Sequence, residues 1–543
     1  MVKSLREKAP SADRRALVCF VAAEVIALPL LLLWGRHGWF TQDDWDFLSA
    51  RTAGNVGDLF RAHFQHLTTL PLLAYRLVWV AVGLRSYTPY QALAVIMHLV
   101  AAALLLIVIR RTGVRPWLAT LVAVLFVFFG SGAENILVAF QITFVGSLVF
   151  GLTHLLLADH DGPMDRRDWF GLLAGFAGLL CSGVAVTMTV IVGLAVLLRR
   201  GRSGWRLALF HTVPLAVAYL VWSAVAPKGQ TAGNYRSHSP TQIVKFVLVG
   251  IENGFARLGQ VPGIGILLGL VLVAGLVVAF RMRSRGGPLA EIAAPIAMLC
   301  GAVVFLIVTG VARAGQSALL ALVAGTGTER ARESRYVYLI VAMSLPALAL
   351  AADALIRRWR ALTIPVVVLL LVGLPGNIHR LASPSQLRPF LNSEATRQSL
   401  LALPRLPLAD QLRGSRVRIP DPRLAAEGLT FGWLLGAAAD GRLPGPGPVN
   451  AVQRSTWTLQ YFLVPASVTS TPQCAPAKKF AVRVLDRGQK ITIERGNVYV
   501  RYMPIGGAPS FGRRLVKPST LVALAGPLRL LFVPAAPGVL LCQ

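Results

Sequence analysis

The sequence predicts an α-helical polytopic membrane protein with a small, separate α/β or mostly β domain at its C-terminal end. Three observations carry this. The 543 residues are 55% hydrophobic and only 14% charged, with a mean hydropathy of +0.62. Apolar runs of about 20 residues, the length that crosses a hydrocarbon core, recur from Ala16 to Val372. Beyond Gly376 the runs stop, and Pro, Gly and alternating apolar and polar residues take over.

The net charge is +30. In a soluble chain that would suggest nucleic acid. Here the cations sit in clusters between apolar runs, which is how membrane topology is encoded. A nucleic-acid partner is therefore excluded, and membrane lipids are the expected surroundings. The N-terminal Lys3, Arg6, Lys8, Arg14 and Arg15 precede an apolar stretch from Ala16 to Trp34. That stretch is long for a secretory leader and lacks a small-residue cleavage site, so it reads as a retained first span.

Further clusters follow at Arg110/Arg111/Arg115, Arg166/Arg167, Arg199/Arg200/Arg202/Arg206, Arg281/Arg283/Arg285 and Arg357/Arg358/Arg360. Each marks a cytoplasmic end, so the chain leaves and returns between them. The pairs are 16–34 with 88–109, 116–131 with 136–157, a short pair 169–181 with 184–198, 207–226 with 263–280, and 289–310 with 336–356. A last span, 361–375, leads outward. The expectation is about eleven spans, with a cytoplasmic N-terminus. Residues 1–375 form the membrane domain and 376–543 an extracytoplasmic domain. Residues 67–84 are apolar enough to span but carry Pro71 and Arg76. Counting them would invert everything downstream. Gly57 to Leu84 therefore reads as one or two amphipathic helices on the outer surface, within the outer loop 35–87, with Arg76 reaching the headgroups.

In the tail, Ser383 to Leu403 reads as helix. Phe480 to Tyr502 alternates apolar and polar residues around Arg487-Gly488 and Arg495-Gly496 turns, a meander of strands. Cys19, Cys181 and Cys300 fall inside spans. Cys474 and Cys542 are the two cysteines of the outer domain, where a disulfide can form.

The densest acid cluster, Asp43, Asp44 and Asp46 in QDDWDF, follows the first span directly. Thr41 with Asp44 has the spacing of a capping box, and acids suit a first helical turn. Two adjacent Asp residues exceed what a cap needs. One carboxylate beside another acts as a general base near neutral pH, or the pair binds a cation. Asp46, two residues on, points elsewhere. Other polar residues occupy expected outer positions. Glu134 and Asn135 lie in a tight turn between two spans, with Gln141 about two turns into the next one. His63 and His66 follow the acids. Lys228, Tyr235, Arg236 and His238 lie in a third outer loop, and Arg335-Tyr336 opens a span after Glu333. Acids can activate a hydroxyl, and cations can stabilise a departing phosphate. Each also has a plain structural use, as a cap, a headgroup anchor or a solvated turn.

QDDWDF at 42–47, HLTTLP at 66–71, GAENILVAFQ at 132–141 and ESRYVYL at 333–339, together with the layout of spans, resemble the GT-C superfamily of integral membrane glycosyltransferases. The likeness is strongest to actinobacterial members, although the chain is much shorter than the large arabinosyltransferases. The Arg-over-Lys, Ala-, Gly- and Leu-rich composition agrees with a GC-rich bacterium, so the plasma membrane is the expected location. The resemblance implies a polyprenyl-phosphate sugar donor and an envelope glycan, lipid or protein acceptor. It implies Asp43 or Asp44 as base in an inverting transfer, with Glu134 as a further catalytic acid. Arg335, Tyr336, Arg76 and Lys228 would hold the donor phosphate, and His66, Gln141 and Asn135 the substrate. No cofactor is certain. A divalent cation (Mg, Mn or Ca) at Asp44 is left open. Trp433, Trp457 and Tyr461 are the aromatic candidates for holding a glycan in the tail. A lipid-linked sugar flippase and a non-catalytic envelope scaffold are the competing readings. A transporter usually shows repeats and ionisable residues near the bilayer midplane, and the sequence shows neither clearly.

Overall fold

The computed structural model describes residues 11–226, 236–284, 289–315, 327–383, 394–420, 428–467, 474–477, 480–516, 519–536 and 538–542. The chain forms two compact units. The first comprises 1–38, 53–75 and 88–390, and the second 39–52, 76–87 and 391–543. The division therefore does not fall at 375/376. Two pieces of the outer loop pack with the tail, for reasons given below.

Among the described residues of the first unit, nine segments are long and apolar enough to cross a membrane. One of them, 184–225, folds as two helices, Val184–Arg200 and Trp205–Val225. The expected short span appears as Arg166–Leu179. Its 14 residues reach only about 21 Å at 1.5 Å each, which is why it falls short of a bilayer. With it, eleven helical segments stand where apolar runs between basic clusters placed them. This is a multi-pass membrane protein.

Helix Ser334–Arg358 is the hub of the bundle, with its most apolar stretch wholly buried. Apolar tails of lipid compete with apolar side chains, so helices here associate through close packing of small residues. Gly275 illustrates this: a Cβ there would overlap the backbone of Ala351. At the end of the hub that carries the basic clusters, buried Asp353 accepts from Arg115 at 2.7 Å and from Arg357 at 2.5 Å. A carboxylate at that depth needs such partners.

The segment 56–82 gives two helices, Val56–Phe60 and Thr69–Val82. In the second, Leu77 and Val80 stay exposed. The third outer loop departs from expectation. It contains a 20-residue helix, Pro240–Gly259, opened by Pro240 at the first helical turn. Its buried residues Phe246, Gly250, Asn253, Gly254 and Leu258 recur at three- and four-residue steps along one face.

The described helix of the early tail is Glu394–Ala402; residues 384–393 of the expected helix lie outside the described residues. With β1 at Leu463–Ala466 and β6 at Arg513–Leu515, the later tail holds two antiparallel sheets, ordered β1-β7-β4-β9-β2 and β3-β8-β5-β6. The meander expected over 480–502 breaks into β3 (Ala481–Leu485), β4 (Lys490–Arg495) and β5 (Val498–Tyr502), with both turns where expected. These strands do not pair with one another. β3 and β5 both flank β8 (Leu528–Pro534), while β4 joins β7 (Ser519–Ala523) and β9 (Leu540–Cys542) in the other sheet. Each sheet buries one face, so alternation is satisfied without hairpins. Cys474 and Cys542 are bonded across directly paired positions of β2 (Cys474–Pro476) and β9.

Candidate functional site

In the first unit, the polar residues singled out by sequence converge at the end of the bundle opposite the Asp353 pairs. The turn leading to Glu134 is tightly held. Asn377 Oδ1 accepts from the Ser131 backbone N–H at 3.0 Å, Gln260 Nε2 donates to Ser131 Oγ at 2.8 Å, and Ser334 Oγ donates to the Ser131 carbonyl at 2.7 Å. Gly130 is needed here because a side chain would run into the Asn377 backbone. The short helix Ala133–Leu137 then places Glu134 inside the bundle, 2% exposed.

Glu134 Oε1 accepts from Gln141 Nε2 at 2.9 Å and lies 3.8 Å from Arg335 Nη1. Arg335 is one residue into the hub helix, after the extended Glu333. Its Nη2 donates to Glu333 at 2.5 Å, and its guanidinium packs on the Tyr336 ring at 5.2 Å. Tyr336 is buried against Phe246 and Phe305. Asn135 is fully buried beside Glu134, and neither of its side-chain polar atoms has a hydrogen-bond partner among the described residues. Glu134, Asn135, Gln141, Arg335 and Tyr336 are thus one neighbourhood, although some 200 positions separate its halves.

His66 belongs to the same field. The 63–66 segment is a tight reversal in which His63 and His66 exchange backbone hydrogen bonds at 3.0 and 2.9 Å, with Phe64 left-handed at φ 52°. Gly183 N–H donates to His66 Nδ1 at 3.2 Å. That nitrogen therefore carries no proton, and Nε2–H is the free donor edge. Burial, then the charges of Arg313, His63 and Arg335, push His66 down to about 3. It is a neutral imidazole that can donate to an anion or a hydroxyl.

The pH consequence has a definite sign. Between about 6.5 and 3 the unfolded chain takes up a proton that the folded site refuses. The contribution of His66 is thus complete above about 6.5 and declines as pH falls towards 3. We expect His66→Gln to flatten the loss of thermal stability on going from pH 7 to pH 4.5, measured by unfolding in detergent. An unchanged slope would mean that His66 is not held neutral.

In the second unit, Thr41 and Asp44 do form the cap. The Thr41 backbone N–H and Oγ1 donate to Asp44 Oδ2 at 2.6 and 2.8 Å, and Asp44 is fully buried. Asp43 remains partly exposed on the same short helix, Gln42–Trp45. Asp46 pairs with the buried Arg51 at 2.7 Å. Aromatic packing explains why these pieces join the tail: Trp45 and Trp79 both pack on Trp433, at 6.2 and 5.4 Å between ring centres. Arg442 also donates to the Trp79 and Val80 carbonyls at 2.9 and 2.6 Å. Trp433 is therefore committed to packing. Tyr461 is fully buried and donates to Ser399 Oγ at 2.8 Å, so it is a core residue and not a glycan platform. Trp457 stays partly exposed. Arg76 lies in this second unit. Lys228 lies outside the described residues. Among the described residues, the clusters of three potential metal ligands are Cys474/Glu494/Cys542 and His160/Asp165/Asp168. The first contains the disulfide, and neither includes Asp44.

Sequence reasoning passed over Arg313, which contributes to the field around His66, and a second group of residues; Glu333, named beside Arg335, pairs with it. At the opposite end, Asp168 Oδ1 accepts from both His160 and His211 at 3.0 Å, and His211 in turn meets His154 at 3.0 Å. Asp168, His211 and His154 sit on three different helices and His160 on the connection before Asp165, so no local pattern in the sequence marks their contact.

Fold and site together define a multi-pass membrane protein with a polar, partly buried pocket of charge at one end of its helices. No protein-family model matches the chain, and no curated protein matches it in sequence. A solved structure that matches in fold is the apo form of ArnT from Cupriavidus metallidurans, at 13% identity and a TM-score of 0.49, covering 95% of this chain and 100% of that one.

Proposed function

We propose that this chain is a GT-C-type glycosyltransferase of the bacterial plasma membrane. In this reading the N-terminus is cytoplasmic and the tail extracytoplasmic. It moves a sugar from a polyprenyl-phosphate donor to an envelope glycan, lipid or protein, with inversion. The acceptor oxygen attacks the anomeric carbon and loses its proton to an aspartate base, Asp43 or Asp44. The bond to the lipid phosphate breaks, and Arg335 stabilises the charge that develops on the departing oxygen. Glu134, Glu333 and Tyr336 position Arg335. His66 donates from Nε2 to substrate, and Gln141 fixes Glu134. The observation that carries this reading is Arg335, held between the buried Glu134 and the part-exposed Glu333 in the field of a neutral His66. It is a pre-set, part-buried cation site at a helix end, the arrangement that a leaving phosphate needs.

The test is a strain lacking the chain. Loss of one envelope sugar, with accumulation of its lipid-linked donor and restoration by the wild-type chain, supports the reading. The buried histidine–aspartate group at the other end favours a second reading, a lipid-linked sugar transporter, because ionisable residues within spans often serve transport. Liposomes containing the purified chain separate the two. Movement of donor across the bilayer without transfer to any acceptor would establish the transporter.

A further inference from the structure

Helix Pro240–Gly259 reverses through left-handed Gln260 and Gly263 (φ 59° and 83°) into the apolar helix Ile264–Ser284. Between them opens a cavity of about 690 Å³. One wall is apolar and descends the second helix through Gly265, Ile266, Gly269, Leu272 and Val273. That spacing is a single helical face. Ile266 and Val273 are 71% and 64% exposed, so this wall is open sideways to the bilayer.

The mouth has the opposite character. Arg257, Arg332 and Arg380 line it with one carboxylate, Glu252, which leaves a surplus of two positive charges. Glu252 is engaged by Arg332 at 3.3 Å. Arg380 Nε donates to Gln260 Oε1 at 2.7 Å, and Arg257 lies near enough for the two like charges to oppose each other. Deeper in the cavity stands Asn253. It is 2% exposed, and its Nδ2 has no hydrogen-bond acceptor among the described residues. A buried amide donor left without an acceptor is costly, and an anionic oxygen would satisfy it. Guanidiniums above an amide donor, continuous with an apolar channel, describe a ligand with an anionic head and a hydrocarbon tail.

We propose that this cavity binds an anionic membrane lipid, its phosphate held by Arg257, Arg380 and Asn253 and its chain lying along Gly265 to Val273. Arg335 does not line this cavity, and the proposal does not depend on the transferase reading, because it is tested by binding alone. A free phosphate would use the mouth but gain nothing from the apolar wall.

The test uses the full-length protein in detergent, titrated with phosphatidic acid, with phosphatidylcholine and with inorganic phosphate, and read by native mass spectrometry. Two single variants accompany the wild type. Arg257→Gln removes one guanidinium. Gly269→Leu fills the channel, and a Cβ at Gly269 meets nothing within 4 Å, so the backbone need not move. The expected result is phosphatidic acid bound at least about tenfold tighter than phosphatidylcholine. Arg257→Gln should reduce that preference at least about threefold, and Gly269→Leu should weaken both lipids. Inorganic phosphate binding equally well to wild type and Gly269→Leu, with no lipid preference, would reduce the site to a free-anion site and overturn the proposal. So would phosphatidic acid binding that neither variant changes. If Arg257→Gln fails to fold, Gly269→Leu decides alone.

Discussion

Arg335→Gln is expected to lower sugar transfer by about 10²- to 10³-fold at saturating donor, the usual cost of deleting one charge-stabilising donor from a preorganised site. The structure gives the reason for so large an effect. Arg335 is flanked by Glu134 at 3.8 Å and Glu333 at 2.5 Å and rests on Tyr336, so its guanidinium is aimed before any substrate arrives. Arg335→Lys should recover only part of the loss. An ammonium keeps the charge but not the planar fork that reaches two partners at once. Glu134→Gln should do less than Arg335→Gln and should act mainly on kcat, because the cation stays while its aim is loosened. The measurement is steady-state transfer from a polyprenyl-phosphate sugar by purified protein, with abundance and unfolding temperature as controls. Turnover of Arg335→Gln within about threefold of wild type would remove Arg335 from the transition state.

How far the sequence alone reached depends on which physical force shaped each part. Apolar runs bounded by arginines gave the helices of the first unit, because lipid enforces both length and satisfied backbone. The helix Pro240–Gly259 escaped the same reasoning. It is amphipathic, with Lys245, Glu252 and Arg257 among its residues, so it reads as loop when the test is uniform hydrophobicity. Its 20 residues within a supposed loop of 37 were themselves a warning, since long structureless connections are rare. In the tail, alternation located β3, β4 and β5, but pairing between sheets follows from which faces are buried together, and neighbouring strands in sequence carry no mark of that. The polar neighbourhood was partly visible. Glu134 and Gln141 were singled out separately, one in the turn and one in the next span, and they meet because the helix starts only after Gln141; Arg335 reaches them because the hub helix ends there. The lipid cavity was invisible, since Asn253, Arg257 and Arg380 acquire meaning only when the reversal at Gln260 brings them to one mouth.

The acid pair separates two roles that the sequence left combined. Asp44 is fully buried, and its Oδ2 accepts both the Thr41 N–H and Oγ1–H, so its charge is already engaged in starting the short helix. Asp43 shares that helix but stays partly exposed, the better position for a group that must meet a substrate hydroxyl. Asp43→Asn is therefore expected to lower turnover by about 10²- to 10⁴-fold, the span ascribed to a general base, with unfolding temperature and abundance measured alongside. Asp44→Asn is expected to act first on stability, by about 1 kcal/mol as for loss of a cap, with any loss of activity tracking the loss of folded protein. The two variants measured side by side discriminate sharply. If Asp44→Asn abolishes transfer at full abundance while Asp43→Asn transfers normally, the base is the capped residue and the cap serves to hold it. If both transfer normally, the cluster only starts a helix, and the base must be sought elsewhere, with Glu134, 3.8 Å from Arg335, the next candidate.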